Sequence, residues 1–340
     1  MSAASQMPAA LRVLAPGPSA TIQDLGRPGW FSSGVGVAGA ADPDSLCLAN
    51  RIVGNEEGAA AIECVLGGLQ LRALRAVTLA VTGAPAPLTV DGTPVGSASV
   101  VHLEQGQRLE LGLATAGMRV YVAVRGGLAV DPVLGSRSRD TLAGLGPEPL
   151  QVGDELPVGP PPSHWPTIEV APVPMITNDP VVVRVQLGPR HDWFRRPDDL
   201  YVGAWTVTDR LDRVGARLAR PDAYPPLTRI DDRELPTEGM PLGAIQVPPS
   251  GEPVIFLADH PITGGYPVVG VVHRADLGRV AQARPGQQLI FVDELGRRRP
   301  DPAARPMISL RGRPTESETA AVVAALTVLT SRSDLSYVTR

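Results

Sequence analysis

The stretch Leu242–Pro267, LGAIQVPPSGEPVIFLADHPITGGYP, decides how this chain is read. Two short apolar runs, Ala244–Val247 and Val254–Leu257, flank Pro248-Pro249-Ser250-Gly251. The prolines remove helical hydrogen bonds and, with Ser and Gly, supply turn chemistry, so the pattern predicts a β-hairpin. A loop of small and polar residues follows. Asp259, Thr263, Gly264, Gly265 and Tyr266 put a carboxylate, a hydroxyl, a phenol and backbone donors on a loop that leaves buried strands, which is how many sites are carried.

A segment of the same character, TIQDLGRPG at 21–29, follows the Pro16-Gly17-Pro18 turn and brings Gln23, Asp24 and Arg27 within five residues. From Leu69 to Val158 short apolar runs alternate with turn signals, including Asp91-Gly92 and Gly126-Gly127, which predicts an all-β region with hairpins at both dipeptides. One helix is expected in this half, from Pro43 to Val53. Asp42 is its N-cap, Pro43 its first helical residue, Leu46, Ala49 and Val53 its apolar face and Gly54-Asn55 its stop, and its expected place is over a barrel end. Prolines crowd 156–180, marking a linker. Beyond it come strands at Val181–Leu187, Ala204–Thr208 and Gln288–Val292, an aromatic segment at His191–Phe194 and a short helix over Asp276–Ala283. A last helix is expected over Glu316–Leu329, free to dock within the chain or on a partner. The expected division is therefore a β-barrel at 10–158, a linker at 159–180, a second β-barrel at 181–312 and a helix and tail at 313–340.

Composition excludes more than it selects. The chain has no lysine, so all 31 of its cationic side chains other than histidine are arginine. No Walker-type loop, Schiff base, biotinyl-lysine or Ser/Lys nucleophile can be built from it. A net charge of −4 with no basic stripe argues against nucleic acid. The absence of a long apolar run or a signal-like N-terminus argues against a membrane and for a cytoplasmic protein. Cys47, on the expected helix, and Cys64, on an expected strand, read as small buried hydrophobes, and the five scattered histidines give no metal motif.

Three loops hold the residues with chemistry: Gln23, Asp24 and Arg27; the turn Asp212-Arg213-Val214-Gly215; and Gln246 with Asp259–Tyr266. Arg27 and Arg213 suit bidentate recognition of a small carboxylate, an Asp can serve as general base, and Gln246 or loop N–H groups can hold an oxyanion. Each also has a structural reading: ion pairs between each arginine and its neighbouring Asp, a tight turn at Gly264-Gly265, a core amide at Gln246. Glu63 in the run AIECV is a strand carboxylate that needs a partner or lines a cavity, and Asn55 after Gly54 is a helix-stop residue.

Seven segments, spread over nearly the whole chain, carry a family resemblance: APGPSATIQDLGRPG (15–29), LANRIVGN (48–55), AVTGAPAPLTVDGTPV (80–95), YVAVRGGLAVDPVLGSRS (121–138), DRVGARL (212–218), LGAIQVPPSGEPVI (242–255) and DHPITGGYPVVGVV (259–272). The chain resembles the biotin-dependent carboxyltransferase domain family, also labelled allophanate hydrolase subunit 2, whose members include the C subunit of bacterial 5-oxoprolinase. The resemblance implies a mainly β fold of two cyclophilin-like β-barrels with a few short helices. It implies a B-type (allophanate hydrolase subunit 1) partner chain, with a further A-type subunit, and ATP used by the complex. The substrate class would be small acidic or urea-like molecules.

Carried over by motif, Asp24, Arg27, Arg213, Gln246 and Asp259 are the catalytic candidates, and Gln23, Glu63, Thr263, Gly264, Gly265 and Tyr266 the substrate-binding ones. Arg27 or Arg213 would clamp an anion, Gln246 with the Gly264-Gly265 amides would hold an oxyanion, and Asp24 or Asp259 would act as base. Two positions depart from the family pattern, Ala41 before Asp42 and His260 after Asp259. The expected activity is ATP-dependent opening of the pyroglutamate lactam to glutamate in a complex. The alternatives are biotin-dependent carboxyl transfer to a urea-like acceptor, with biotin on a separate protein, and non-enzymatic regulation of a B-type partner. Direct allophanate hydrolysis is disfavoured, because a Ser-Ser-Lys machinery has no lysine here.

Overall fold

The computed structural model describes residues 7–298, except 167–169, 222, 223, 225 and 232. The helix expected over Glu316–Leu329 lies outside the described residues. In the first half the strands are β1 (Ala9–Pro16), β2 (Ser19–Gln23), β3 (Ala61–Val65), β4 (Leu69–Ala73), β5 (Val77–Gly83), β6 (Leu88–Val90), β7 (Thr93–Pro94), β8 (Val100–Leu103), β9 (Arg108–Leu111), β10 (Arg119–Val124) and β11 (Glu155–Pro157). They form a six-stranded sheet, β11-β1-β4-β9-β6-β7, and a five-stranded sheet, β2-β3-β10-β5-β8. The chain passes from one sheet to the other at Gly17, whose positive φ of 71° no branched side chain would tolerate and where a Cβ would lie 2.1 Å from the Gly67 carbonyl oxygen. Asp91 and Gly92 both take positive φ, as a two-residue hairpin between β6 and β7 requires. Gly126-Gly127 makes a turn after β10 but no hairpin, because the next residue, Leu128, bridges to Val158.

Alternation sorts the side chains of the five-stranded sheet. Ile22, Ile62, Cys64, Leu79, Val81, Val120 and Val122 face the six-stranded sheet and build one core with Leu11, Val13, Leu69, Leu71 and Leu109. The opposite face carries Ala61, Ala80 and Ala123 beside Tyr121. These small side chains let helix α1 (Pro43–Ile52) lie flat against β5 and β10 through Leu46, Ala49 and Ile52, so α1 covers a sheet face rather than a barrel end. Its N-cap is Asp42, whose side chain accepts from the Ser45 N–H.

The second half contains β12 (Val181–Leu187), β13 (Trp205–Leu211), β14 (Gly215–Ala219), β15 (Glu238–Gly239), β16 (Ala244–Gln246), β17 (Val254–Phe256), β18 (Thr263–Gly264), β19 (Val268–Val272) and β20 (Gln288–Val292). Seven of them close into a barrel, β12-β19-β16-β17-β14-β13-β20, around Val183, Val185, Trp205, Leu218, Ile245, Ile255, Val269 and Phe291. The hairpin expected at Ala244–Leu257 is β16–β17, with Ile245 opposite Ile255. The short helix is α2 (Leu277–Ala281). No helix among the described residues is long and apolar enough to cross a membrane.

The two halves meet through polar groups as well as surface. Gln282, just after α2, donates to Asp42 Oδ2 (2.8 Å) and the Arg119 carbonyl (3.0 Å) and accepts from the Met118 and Arg119 N–H groups (2.9 and 2.8 Å). Arg284 donates to the carbonyls of Gly117 (2.7 Å) and Ala114 (2.6 Å). The end of α2 thereby satisfies the Met118 and Arg119 N–H groups at the start of β10.

Candidate functional site at the seam between the halves

The site starts where β2 ends. Asp24 Oδ1 accepts from the Gly26 N–H (2.8 Å), Ser136 Oγ (2.7 Å) and Ser138 Oγ, and Oδ2 accepts from the Arg137 N–H (2.6 Å). The segment Ser136-Arg137-Ser138 is wound around this one carboxylate. Arg27, fully buried, donates to the carbonyls of Ser138 and Val133 and lies 3.8 Å from Asp140, so it grips the same segment instead of pairing with Asp24 on the surface. Gln23 adds a hydrogen bond to the Arg139 carbonyl (3.1 Å) and one to Thr21 Oγ1 (3.0 Å). Its Oε1 is buried without a protein partner among the described residues.

This segment delivers Thr141 to the centre of the seam. Thr141 donates its N–H (2.8 Å) and hydroxyl (2.7 Å) to Asp259 Oδ2. Arg213 from the β13–β14 turn makes a bidentate pair with Asp259, both contacts 2.9 Å, and also donates to Glu63 Oε1 and the Gly39 carbonyl. Glu63, on β3 and 1% exposed, accepts from the Tyr121 hydroxyl (2.8 Å) and the Ala41 N–H (2.9 Å), with Arg119 at 3.5 Å. Glu63, Arg213 and Asp259, far apart in sequence, therefore form one buried cluster that joins the halves. Burial alone would raise the Glu63 carboxyl, but Arg213 and Arg119 outweigh it and hold the group below its ordinary range. Burial would lower Arg213, and its two carboxylates more than reverse that. Burial and the neighbouring Glu63 push Tyr121 well up, which keeps it a phenol that donates.

These contacts fix what the cluster can do. The Arg213 fork is engaged by Asp259, Glu63 and Gly39, so it has no pair of donors free for a substrate carboxylate. Asp24 and Asp259 each accept several hydrogen bonds, and Asp259 also takes the Arg213 fork. In this arrangement the three residues tie the loops of the seam together.

The loop that follows Asp259 carries exposed polar groups. Gln246, at the end of β16, donates to the Tyr266 carbonyl (3.0 Å), and Gly264 sits so close that a Cβ there would come within 2.6 Å of Gln246 Nε2. β15 pairs with β18, holding Thr263 and Gly264 extended. Thr263, Gly265 and Tyr266 are exposed, the tyrosine at 46%. Between loop and cluster, His260 places its two ring nitrogens 2.8 and 3.1 Å from the Leu257 and Met240 carbonyls. No group of three or more His, Cys, Asp or Glu among the described residues is arranged to hold a metal ion.

The structure adds residues that sequence reasoning does not single out: Tyr121, Arg119, Thr141, Ser136, Ser138 and Gln282. Arg119 and Tyr121 leave one trace, two polar residues at period two in the otherwise apolar strand RVYVAV. Thr141 and Gln282 leave none, because their partners lie in the other half of the chain.

The carboxyltransferase domain family, subdomains A and B, matches residues 33–293. The C subunit of 5-oxoprolinase from Escherichia coli (strain K12) is 35% identical over 287 residues, 83% of this chain and 90% of that protein. The urea amidolyase of Lachancea kluyveri is 33% identical over 311 residues, 84% of this chain but only 17% of that protein. Among solved structures, TTHA0988 superposes with a TM-score of 0.75 at 33% identity over 84% of this chain, which spans 56% of that one. The chain belongs to the carboxyltransferase domain family.

Proposed function

We propose that this chain is the C-type subunit of an ATP-dependent 5-oxoprolinase, a hydrolase subunit that opens the cyclic amide C–N bond of pyroglutamate to give glutamate when assembled with a B-type chain and an A-type subunit. The observation that carries the reading is similarity along the chain: it is 35% identical to a 5-oxoprolinase C subunit over 83% of its length, against 33% to a urea amidolyase over 84%. The substrate-facing groups in this proposal are the exposed ones. The backbone N–H of Gly265 would receive the oxyanion formed when water adds to the lactam carbonyl, the Gly264 N–H being taken up by the β15–β18 pairing; the Thr263 and Tyr266 hydroxyls would orient the ring, and Gln246 holds Tyr266 by its carbonyl. Asp24 and Arg27 shape the facing segment, and Glu63, Arg213 and Asp259 anchor the loop from below. ATP would be used by the complex; this sequence has no Gly-Lys-Ser/Thr loop to mark a site for it.

The test is ATP-dependent conversion of 5-oxoproline to glutamate by the complex, with Thr263→Ala and Tyr266→Phe, two exposed positions that do not disturb the cluster. A drop of about tenfold or more in kcat/KM with the complex intact supports the loop. No turnover by a well-formed complex refutes the reading. Turnover that appears only with a biotinylated protein favours carboxyl transfer instead, which the match to urea amidolyase also supports; the chain has no lysine to carry biotin itself.

A further inference from the structure

A pocket of about 400 Å³ opens at the edge of the same seam, between the start of α1, the segment 173–181 and α2. That volume is within the range of small-molecule sites. Its walls are largely apolar, with Leu48, Val173, Ile176 and Val181, and at its inner end lies Asp42, 5% exposed. All the hydrogen bonds to this carboxylate come from neutral groups: Ser45 Oγ (2.7 Å) and Gln282 Nε2 (2.8 Å) to Oδ2, and the Ser45 N–H (3.3 Å) to Oδ1. No ion pair to it exists among the described residues, in contrast to Glu63 and Asp259. The other charges at the pocket are Asp44 and Asp179, which add to its negative field, and Arg279, whose side chain is 56% exposed and lies 3.8 Å from Asp276. Gly278 is what leaves Oδ1 room, since a Cβ there would come within 2.7 Å of it.

A buried carboxylate without a cation, with one oxygen holding a single long bond at the end of an apolar-walled pocket, is complementary to a compact nitrogen cation. We propose that this pocket is a binding site for small molecules with an apolar body and a cationic nitrogen head of the amidinium, guanidinium or ammonium class, the head on Asp42 Oδ1 and the body against Leu48, Val173 and Ile176. The inference stands independently of the reaction proposed above.

Titration calorimetry of the full chain with benzamidine, its neutral analogue benzamide and the anion benzoate tests it. Benzamidine is expected to bind one to one, at least tenfold tighter than benzamide, with no binding of benzoate. Asp42→Asn keeps the helix cap through its oxygen, because Asn caps as well as Asp, while its NH2 gives up the bond from Gln282, and the variant is expected to lose benzamidine at least tenfold. Met175→Arg, at an 83%-exposed position on the rim, places a competing guanidinium there and is expected to weaken binding without touching the core. Failure of benzamidine to bind the wild type, equal affinity for benzamide, or unchanged binding in both variants overturns the proposal.

Discussion

Glu63 and Asp42 are both buried acids on one seam, and the Tyr121 hydroxyl touches both: it donates to the Glu63 carboxylate and accepts from the Asp42 N–H (2.8 Å each). Glu63 faces two guanidiniums and is sealed in, whereas Asp42 faces neutral donors and a pocket. Burial pushes both carboxyls up; at Glu63 the two arginines, with the Ala41 N–H and the Tyr121 hydroxyl, reverse it, while the Asp42 carboxyl stays above its ordinary range. The same degree of burial thus makes one residue a strut between cations and leaves the other balanced only by neutral donors and the N-terminus of α1. What separates framework from site on this seam is the partner.

Removing the strut should have the largest effect. Arg213→Ala leaves Glu63 and Asp259 buried without their main cation, and a loss of about 3–5 kcal/mol is expected in denaturant unfolding; a loss under about 1 kcal/mol would mean the seam is wet and the contrast with Asp42 empty. Glu63→Gln is expected to cost about 2–3 kcal/mol near neutral pH, since Arg119 and Arg213 lose charge-assisted bonds. Its folded carboxyl lies below the unfolded range, so its stabilisation is present above the unfolded value and vanishes as pH falls through the folded one; the gap between wild type and variant should close in acid.

Gly264→Ala pushes a methyl into the Gln246 amide and is expected to cost about 1–3 kcal/mol, read as a lower Tm, with the 263–266 loop displaced. Asp42→Asn should respond to pH the other way. The variant relieves the cost of an ionised buried carboxyl but opposes one NH2 to a donor, Gln282 Nε2 if the Ser45 cap is kept, so a net change within about 1 kcal/mol of wild type is expected at neutral pH. As pH falls and the raised wild-type carboxyl protonates, wild type gains on this variant, whereas Glu63→Gln gains on wild type; movement in the same direction would dissolve the distinction. Smallest is Arg210→Ala, at an exposed pair with Glu252 (3.1 Å), where about 0.5 kcal/mol or less is expected as the surface baseline.

Much of the fold is legible locally. β12, β20, the β16–β17 hairpin and the cap of α1 follow from runs, turn residues and an Asp-Pro pair that act within a few residues. The convergence of Glu63, Arg213 and Asp259 is not, since it depends on how the two halves meet. Local spacing also misassigns partners: Asp24 and Arg27 look like a pair at three residues' distance, yet each prefers the 133–140 segment, whose serines and carbonyls cannot be ranked as partners from the sequence. Asp42 reads as a cap and is one, but its pocket comes from residues 173–181 and α2, which no local pattern brings to it.

The barrel closes by a parallel pairing of β20 with β12, Val181 opposite Leu289, while the other edge of β20 meets β13. The strand that completes the ring is therefore the last of the seven to leave the ribosome, and until it arrives β12 and β13 are open edges available to other strands. A nascent chain stalled before Gln288 would carry this half as an aggregation hazard, whereas the sheets of the first half would already have all their strands.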